Sequence, residues 1–226
     1  MPRHARGFDT EAAHAHLARR DRKLGVWMKN LGPITPDPRW RKPFDPVDAL
    51  ARAILYQQLS GKAAATIVSR VETAIASDRF HCDTLARCDD AAIRACGVSG
   101  NKLLALRDLA LRESNGAIPS LRQMSTLDND AIIAALVPIR GIGRWTVEMM
   151  LMFRLGRPDV LPVDDLGIRK GAQVVDKVEG MLAPKALIER GERWGPYRTY
   201  ASLYLWRIAD ASAKRNTLMP IKRSQE

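Results

Sequence analysis

Cysteine is scarce in this sequence, and its scarcity excludes several kinds of site. The 226 residues include three cysteines, Cys82, Cys88 and Cys96, with His81 the one histidine near them. An odd number without close pairing argues against a disulfide framework. A structural zinc needs four ligands, and an iron–sulfur cluster needs four cysteines. We therefore expect all three to be small, buried or half-buried apolar side chains.

Long apolar runs are also missing. No stretch approaches the roughly 18 apolar residues of a membrane-spanning helix, and residues 1–20 mix charges and histidines where a signal peptide would be apolar. We therefore expect no membrane partner. The default location is the cytoplasm, associated with the nucleoid in a bacterium, or the nucleus in a eukaryote.

Acidic residues are outnumbered. The chain has 25 Asp and Glu against 36 Lys and Arg, a formal net charge of +11 and an isoelectric point near 10.0. Such a balance points to a polyanionic partner, of which nucleic acid is the commonest. The hydrophobic content of 46% is ample for a buried core, so the length allows one large domain or two small lobes.

Alternating strand patterns are absent as well, so the sequence predicts an all-α fold. From Val47 the apolar residues recur at the spacing of one helix face, and Asp45 before Pro46 is a suitable N-cap. Five prolines between residues 33 and 46 predict a loop. Other predicted helices cover about residues 8–30, 62–77, 89–95, 101–113, 119–124, 129–137, 144–155, 165–176, 184–193 and 196–213.

The most informative segment is 136–147, Leu-Val-Pro-Ile-Arg-Gly-Ile-Gly-Arg-Trp-Thr-Val. Pro138 ends one helix, Gly141 and Gly143 allow a tight turn, and Arg144 begins a second helix whose first N–H groups can bind phosphate. This pattern is typical of a helix–hairpin–helix that grips a DNA backbone. By itself, a glycine pair between helices is equally compatible with a simple tight corner.

Three further groups of residues can carry chemistry. Asp164 and Asp165 begin a helix, where one can serve as the N-cap and the other can face a cleft. Trp145 and Trp206 are either core residues or a stacking pocket for a nucleobase. Gln57 and Gln58 end a helix, where two amides are either solvated or able to enter a base stack.

Together these residues resemble the helix–hairpin–helix (HhH-GPD) superfamily of DNA glycosylases, in its 3-methyladenine DNA glycosylase II (AlkA-like) branch. The resemblance is to a compact form, without the extra β-containing domain of the longest relatives. The segments that carry it follow the family's order and cover residues 53–64, 96–102, 139–149, 157–167 and 192–201.

The resemblance implies roles for the acidic pair and for the residue after the hairpin. Asp165 matches the essential aspartate, which leaves the helix cap to Asp164. Trp145 occupies the position where some superfamily members carry a catalytic lysine. Because a lysine amine is needed to form a Schiff base with the sugar, the resemblance implies a monofunctional enzyme without lyase activity.

The resemblance also implies a base pocket, a DNA surface and a cation site. The pocket comprises Trp145, Trp206, Tyr56 and Met149, the last replacing an aromatic residue. The DNA-binding residues are Gly141, Ile142, Gly143, Arg144, Thr146, the wedge Gln58 with its neighbour Leu59, Lys62 and Lys102. No cofactor is required, although the carbonyls of Val137, Ile139 and Ile142 could bind Na⁺ or K⁺.

The implied architecture is two helical lobes with the active-site cleft between them. Residues 46–157 form the lobe with the hairpin, residues 8–45 and 158–213 form the lobe with the catalytic aspartate, and 214–226 is a basic tail.

The implied protein is a monomer that excises alkylated purines of the 3-methyladenine and 7-methylguanine class from double-stranded DNA. Base flipping and hydrolysis of the N-glycosidic bond are the implied steps of base excision repair. The alternatives are a noncatalytic DNA-binding protein, or a glycosylase that prefers ethenoadenine or hypoxanthine. A bifunctional glycosylase for oxidised bases is disfavoured by Trp145 and by the missing cysteine cluster.

Overall fold

The computed structural model describes residues 4–218, with side chains through Ala213. Within these residues the chain forms helices, turns and loops and contains no β-strand, which confirms the predicted all-α fold. Two 3₁₀ helices, Pro38–Arg41 and Glu192–Trp194, accompany the α-helices. The α-helices are α1 (Thr10–Arg20), α2 (Arg22–Leu31), α3 (Pro46–Tyr56), α4 (Gly61–Ile75), α5 (Cys82–Leu85), α6 (Asp90–Ala95), α7 (Gly100–Ser114), α8 (Leu121–Met124), α9 (Asn129–Leu136), α10 (Arg144–Phe153), α11 (Leu166–Asp176), α12 (Pro184–Gly191) and α13 (Arg198–Leu218).

Helix α3 begins as its sequence predicts. The Asp45 carboxylate accepts hydrogen bonds from the N–H groups of Val47 and Asp48, and Pro46 occupies the first turn. The predicted apolar face is buried as far as Leu55. The helix ends at Tyr56, so Leu59, which continues the apolar spacing, lies outside it and is exposed.

The described residues divide into two compact units. The first comprises His4 and residues 42–147, and the second comprises residues 5–41 and 148–218. The division falls inside α10, earlier than the predicted lobe boundary at residue 157. Helix α13 continues to Leu218, which includes the start of the predicted basic tail. Residues 219–226 of that tail lie outside the described residues.

Asp21 breaks the single helix predicted over residues 8–30. Its buried carboxylate caps α2 by accepting the Leu24 N–H, and it also accepts the Arg190 guanidinium and the Trp194 indole N–H. Burial alone would raise the pKa of Asp21, but these donors outweigh burial and hold the pKa below its ordinary value. Because Arg190 and Trp194 lie far along the chain, no local pattern predicts this break.

The remaining expectations from composition concern cysteines and membranes. Cys82 and Cys88 are half-buried and Cys96 is buried, all as free thiols, as predicted. Among the described residues, no helix combines the length and the apolar character needed to cross a bilayer.

Helices α11 and α13 pack closely in the core of the second unit. A Cβ added to Gly171 on α11 would lie 2.1 Å from the Leu205 carbonyl oxygen and 2.6 Å from its carbonyl carbon on α13. Since no side chain fits there, glycine allows the two backbones to approach. Ile168, Ala172, Tyr204 and Ile208 are fully buried around this contact.

We expect Gly171→Ala to destabilise the protein by about 3 kcal/mol or more, because the methyl group meets backbone rather than a flexible side chain. Urea unfolding at neutral pH measures the loss. Gly61→Ala is the matched control, since a Cβ at Gly61 meets nothing within 4 Å. That substitution should change stability by less than about 1 kcal/mol. Equal effects of the two variants would contradict the proposed close approach.

Candidate functional site

The hairpin between α9 and α10 lies in the first unit. Helix α9 ends two residues before Pro138, and the buried side chains of Ile139 and Ile142 hold the loop on the core. Gly141 has a φ of +78°, which favours glycine. A Cβ added to Gly143 would contact nothing within 4 Å. Gly141 therefore makes the turn possible, whereas Gly143 leaves the backbone accessible.

Two polar side chains anchor the hairpin from outside. The Asp108 carboxylate on α7 accepts the Arg140 N–H at 2.8 Å, and the Gln57 amide after α3 donates to the Gly141 carbonyl at 2.8 Å. The Ala105 methyl group lies 3.2 Å from where a Gly141 Cβ would be. The hairpin is thus fixed to α7 and to the end of α3.

The start of α10 presents main-chain donors. The N–H groups of Thr146 and Val147 both donate to the Gly143 carbonyl, at 3.0 and 3.3 Å. The N–H groups that precede them cannot form intrahelical bonds, and the helix dipole adds partial positive charge. Arg144 and Trp145 are exposed beside them. This end of the helix is chemically suited to an anion such as phosphate.

Several exposed side chains lie at the end of α3 and directly after it. Tyr56 is 42% exposed, Leu59 is 39% exposed, and Gln58 is exposed with a left-handed φ of 56°. Lys62, in the first turn of α4, is exposed as well. The structure thus separates two adjacent glutamines: Gln57 supports the hairpin, and Gln58 faces solvent.

Lys102, predicted to bind DNA, has an internal role. Its ammonium donates to the carbonyls of Leu55 at 2.7 Å and Gln57 at 2.8 Å, which closes the C-terminal end of α3. Burial lowers the pKa of Lys102. Two of its three N–H donors therefore stabilise the end of α3, and its positive charge lies against the carbonyls of Leu55 and Gln57.

Asp165 is the N-cap of α11 in the second unit. Its Oδ1 atom accepts the Ile168 N–H at 2.9 Å, while Asp164 is exposed before it. The expectation that Asp164 caps the helix is therefore wrong. Asp165 can cap the helix and still belong to the candidate site, because one carboxylate oxygen at the N-cap can accept hydrogen bonds from a helix N–H and from a second donor.

Trp206 supplies that second donor. Its indole Nε1–H donates to Asp165 Oδ1 at 2.8 Å. A Cβ added to Gly167 would lie 2.8 Å from Trp206 Cδ1 and 3.2 Å from Asp165 Oδ1, so glycine makes room for the pair. The Phe153 ring stacks against Trp206, with centroids 5.9 Å apart and planes 19° apart. The indole and the carboxylate thus form one ordered group.

The predicted pocket residues fall in both units. Trp206 and Asp165 are in direct contact, Met149 is half-buried on α10 in the same unit, and Trp145 and Tyr56 belong to the first unit. Among the described residues, no three or more His, Cys, Asp or Glu side chains are arranged to hold a metal ion.

Sequence reasoning left Gln57 and Gln58 with the same two alternatives, and it did not assign Asp108, Gly167 or Phe153 to the site. Gln57 had a visible signal, since it precedes the predicted wedge, but spacing alone does not say which amide turns inward. Gly167 had one too, because glycine in the first turn of a helix weakens it without a local reason. Asp108 and Phe153 read as ordinary helix residues.

Comparisons with known proteins agree with the predicted family. Residues 51–196 match a family model described as HhH-GPD superfamily base excision DNA repair protein. The chain is 33% identical over 211 residues to DNA-3-methyladenine glycosylase 1 of Schizosaccharomyces pombe, covering 93% of this chain and 92% of that protein.

Two solved structures are similar to the whole fold. The S. pombe 3-methyladenine DNA glycosylase Mag1, in complex with abasic DNA, gives a TM-score of 0.74 at 34% identity, over 87% of this chain and 95% of that one. A DNA-3-methyladenine glycosidase from Bacillus halodurans gives 0.80 at 35% identity, over 92% and 94%. The resemblance found in the sequence is confirmed at the level of the family.

We expect Gly167→Ala to displace the Trp206 indole, because the added methyl group overlaps Cδ1. The Trp206 indole N–H resonance should shift in a ¹H–¹⁵N spectrum, and stability should fall by about 1–3 kcal/mol. Trp206→Phe assigns the resonance. Gly100→Ala is the control, since its Cβ would be 3.7 Å from the Arg94 guanidinium, an ordinary contact. An unmoved indole resonance in Gly167→Ala would contradict the proposed fit.

Proposed function

This chain belongs to the HhH-GPD superfamily of base excision DNA repair proteins, and from that premise we propose that it is a monofunctional DNA glycosylase. Its substrate is double-stranded DNA that contains alkylated purines of the 3-methyladenine and 7-methylguanine class. Its reaction is hydrolysis of the N-glycosidic bond. The names of its relatives, which are 3-methyladenine DNA glycosylases, support this substrate class.

The observation that carries the proposal is the Asp165 carboxylate held between a helix N-terminus and an indole N–H. Cleavage of the N-glycosidic bond passes through an oxocarbenium-like sugar. A carboxylate that is already oriented stabilises this charge without reorganising during the reaction, and more strongly away from water. Asp165 takes this part and also orients the attacking water.

DNA binding in this proposal relies on the hairpin. The N–H groups of Gly141, Gly143 and Arg144 hold the phosphate backbone beside the lesion, and Thr146 and Lys62 contribute to the same surface. The Ile142 N–H takes no part, because it donates to the Ile139 carbonyl. Gln58 enters the duplex with Leu59 beside it, and the damaged nucleotide turns out of the base stack. The net charge of +11 supplies most of the nonspecific affinity, so binding falls steeply as salt rises.

Purines alkylated at N3 or N7 suit this site because they already carry positive charge. A cationic base is a good leaving group and needs no general acid. Stacking of a cation on the Trp145 or Trp206 indole adds a favourable cation–π interaction. Ethenoadenine and hypoxanthine lack this charge and would be poorer substrates.

The absence of a lyase step follows from Trp145, which stands where a catalytic lysine would form a Schiff base. Borohydride should therefore trap no crosslinked protein–DNA species, and strand cleavage should require added alkali.

The monovalent cation stays part of the proposal as a structural ion at the hairpin. Its ligands would be the carbonyls of Val137, Ile139 and Ile142. The Ile139 oxygen accepts the Ile142 N–H at 3.0 Å, which leaves one of its lone pairs for an ion. No step of the reaction depends on this ion.

We expect Asp165→Asn to lower the single-turnover rate of base release from methylated duplex DNA by at least about 100-fold. Asparagine caps a helix as well as aspartate does, so the fold and the affinity for an abasic-site duplex should be retained. Asp164→Asn, with the same change of charge on the exposed neighbour, should keep the wild-type rate. If wild type binds DNA but releases no base, the protein is a noncatalytic DNA-binding module.

We expect Gly143→Ala to separate DNA binding from stability. The methyl group meets no protein atom within 4 Å, so the unfolding midpoint should be unchanged. The same methyl group blocks the approach of a phosphate to the backbone N–H groups, and loss of one charge-assisted hydrogen bond weakens binding about tenfold. Gly141→Ala should instead lower stability, because of its positive φ. Fluorescence anisotropy with a labelled duplex gives the affinities, and undiminished binding by Gly143→Ala argues against a phosphate contact at this backbone.

A further inference from the structure

Burial alone does not fix the orientation of the Trp206 indole. The side chain is half-buried, and its hydrogen bond to Asp165 requires the ring plane to lie at one angle. Gly167 leaves room on one part of the ring but does not hold it. The Phe153 ring, stacked against the indole at 5.9 Å between centroids, is the aromatic contact that opposes rotation.

Phe153 itself has space beside it. It is the last residue of α10 and half-buried, and it lines a cavity of about 440 Å³ together with Met152, Leu203 and the loop of residues 34–40. A ring next to a void can tilt at little cost, because it loses few contacts when it moves. Phe153 therefore needs a second contact to serve as a fixed support.

Arg39 provides that contact. Its guanidinium carbon lies 4.8 Å from the centre of the Phe153 ring, within the range of a cation–π interaction. The guanidinium is exposed, and the hydrogen bonds from its Nε and Nη2 atoms to the Asp37 carboxylate restrict its position. The hydrogen bonds and charge of Arg39 hold the pKa of Asp37 below its ordinary value, so the Asp37 carboxylate stays ionised at neutral pH.

The short helix that carries Arg39 is tied to the end of α10. Trp40 is buried, and its indole N–H donates to the Met152 carbonyl at 2.7 Å. Trp40 and Met152 are the chain neighbours of Arg39 and Phe153. This hydrogen bond therefore joins the two backbone segments that carry the guanidinium and the ring.

We propose that Arg39 and Phe153 are positioning residues, which hold the Trp206 indole at the angle at which it donates to Asp165. This inference rests on the proposed glycosylase activity. The order of contacts is Asp37 to Arg39, Arg39 to Phe153, Phe153 to Trp206, and Trp206 to the reacting carboxylate. Neither Arg39 nor Phe153 touches the substrate; both act through the indole.

Single-turnover release of 7-methylguanine tests the proposal. Phe153→Leu, which removes the flat ring, should lower the rate constant about tenfold, since small misplacements of a catalytic group are costly. Arg39→Met, which keeps the length but removes the charge, should lower it about threefold or more. Phe153→Tyr keeps the ring and should restore the wild-type rate. Affinity for an abasic-site duplex should stay unchanged in all three.

A double-mutant cycle distinguishes positioning from general weakening of the fold. Trp206→Phe removes the N–H donor, so adding Arg39→Met or Phe153→Leu to it should lower the rate by less than about twofold further. Effects that multiply in full, or single variants with wild-type rates, would overturn the proposal. Arg39→Met, on a partly exposed side chain, keeps the test valid if Phe153→Leu does not fold.

The first unit offers a matched control. The Arg52 guanidinium lies 5.0 Å from the Phe80 ring and pairs with Asp48, a similar arrangement within the other unit. Arg52→Met should lower the unfolding midpoint but leave the single-turnover rate constant unchanged.

A measurement of the indole resonance does not depend on activity. The Trp206 N–H signal should shift in Arg39→Met and Phe153→Leu but not in Arg52→Met. If wild type releases no base from any methylated duplex, the proposed function fails. The resonance then still decides whether Arg39 and Phe153 hold the indole, and an unmoved signal overturns that claim.

Discussion

The close approach of α11 and α13 at Gly171 is the constraint on which the candidate site depends. Leu205, whose backbone meets Gly171, directly precedes Trp206, and Gly167 lies one helical turn before Gly171. Fixing the two backbones at this point therefore also places Trp206 beside the N-terminus of α11. The carboxylate of Asp165 and its hydrogen-bond donor come together because α11 has a glycine, without a side chain, where it meets the backbone of α13.

The hairpin is also fixed through its backbone, but by polar side chains rather than by helix packing. Gly141 lets the chain turn, and the Asp108 carboxylate and Gln57 amide hold that turn by its main-chain atoms. Gly143 has no such task, and its open surface is what a ligand requires. A rigid loop with an accessible backbone suits a ligand that repeats along its length, because recognition does not depend on any one side chain.

Local patterns predicted what local forces determine. The period of apolar residues gave the helices, and proline with paired glycines gave the hairpin. Prediction failed where the deciding partner is distant in sequence, as for Asp21, whose buried contacts come from the other end of the chain. The prediction of which aspartate caps α11 also failed, because Asp164 and Asp165 have the same propensity for the N-cap position. The Trp206 indole, absent from the local sequence, determines which of them turns inward.

Asp165 serves both as a helix cap and as the proposed reacting carboxylate, so a mutation at this position can remove the reaction without removing the cap. Asparagine is an equally good cap, and a single base change converts an aspartate codon into an asparagine codon. One mutation in a duplicated gene can therefore abolish base release while the encoded protein still folds and still binds a phosphate backbone. Such a protein would bind damaged sites without releasing the base, and it would compete there with the active enzyme.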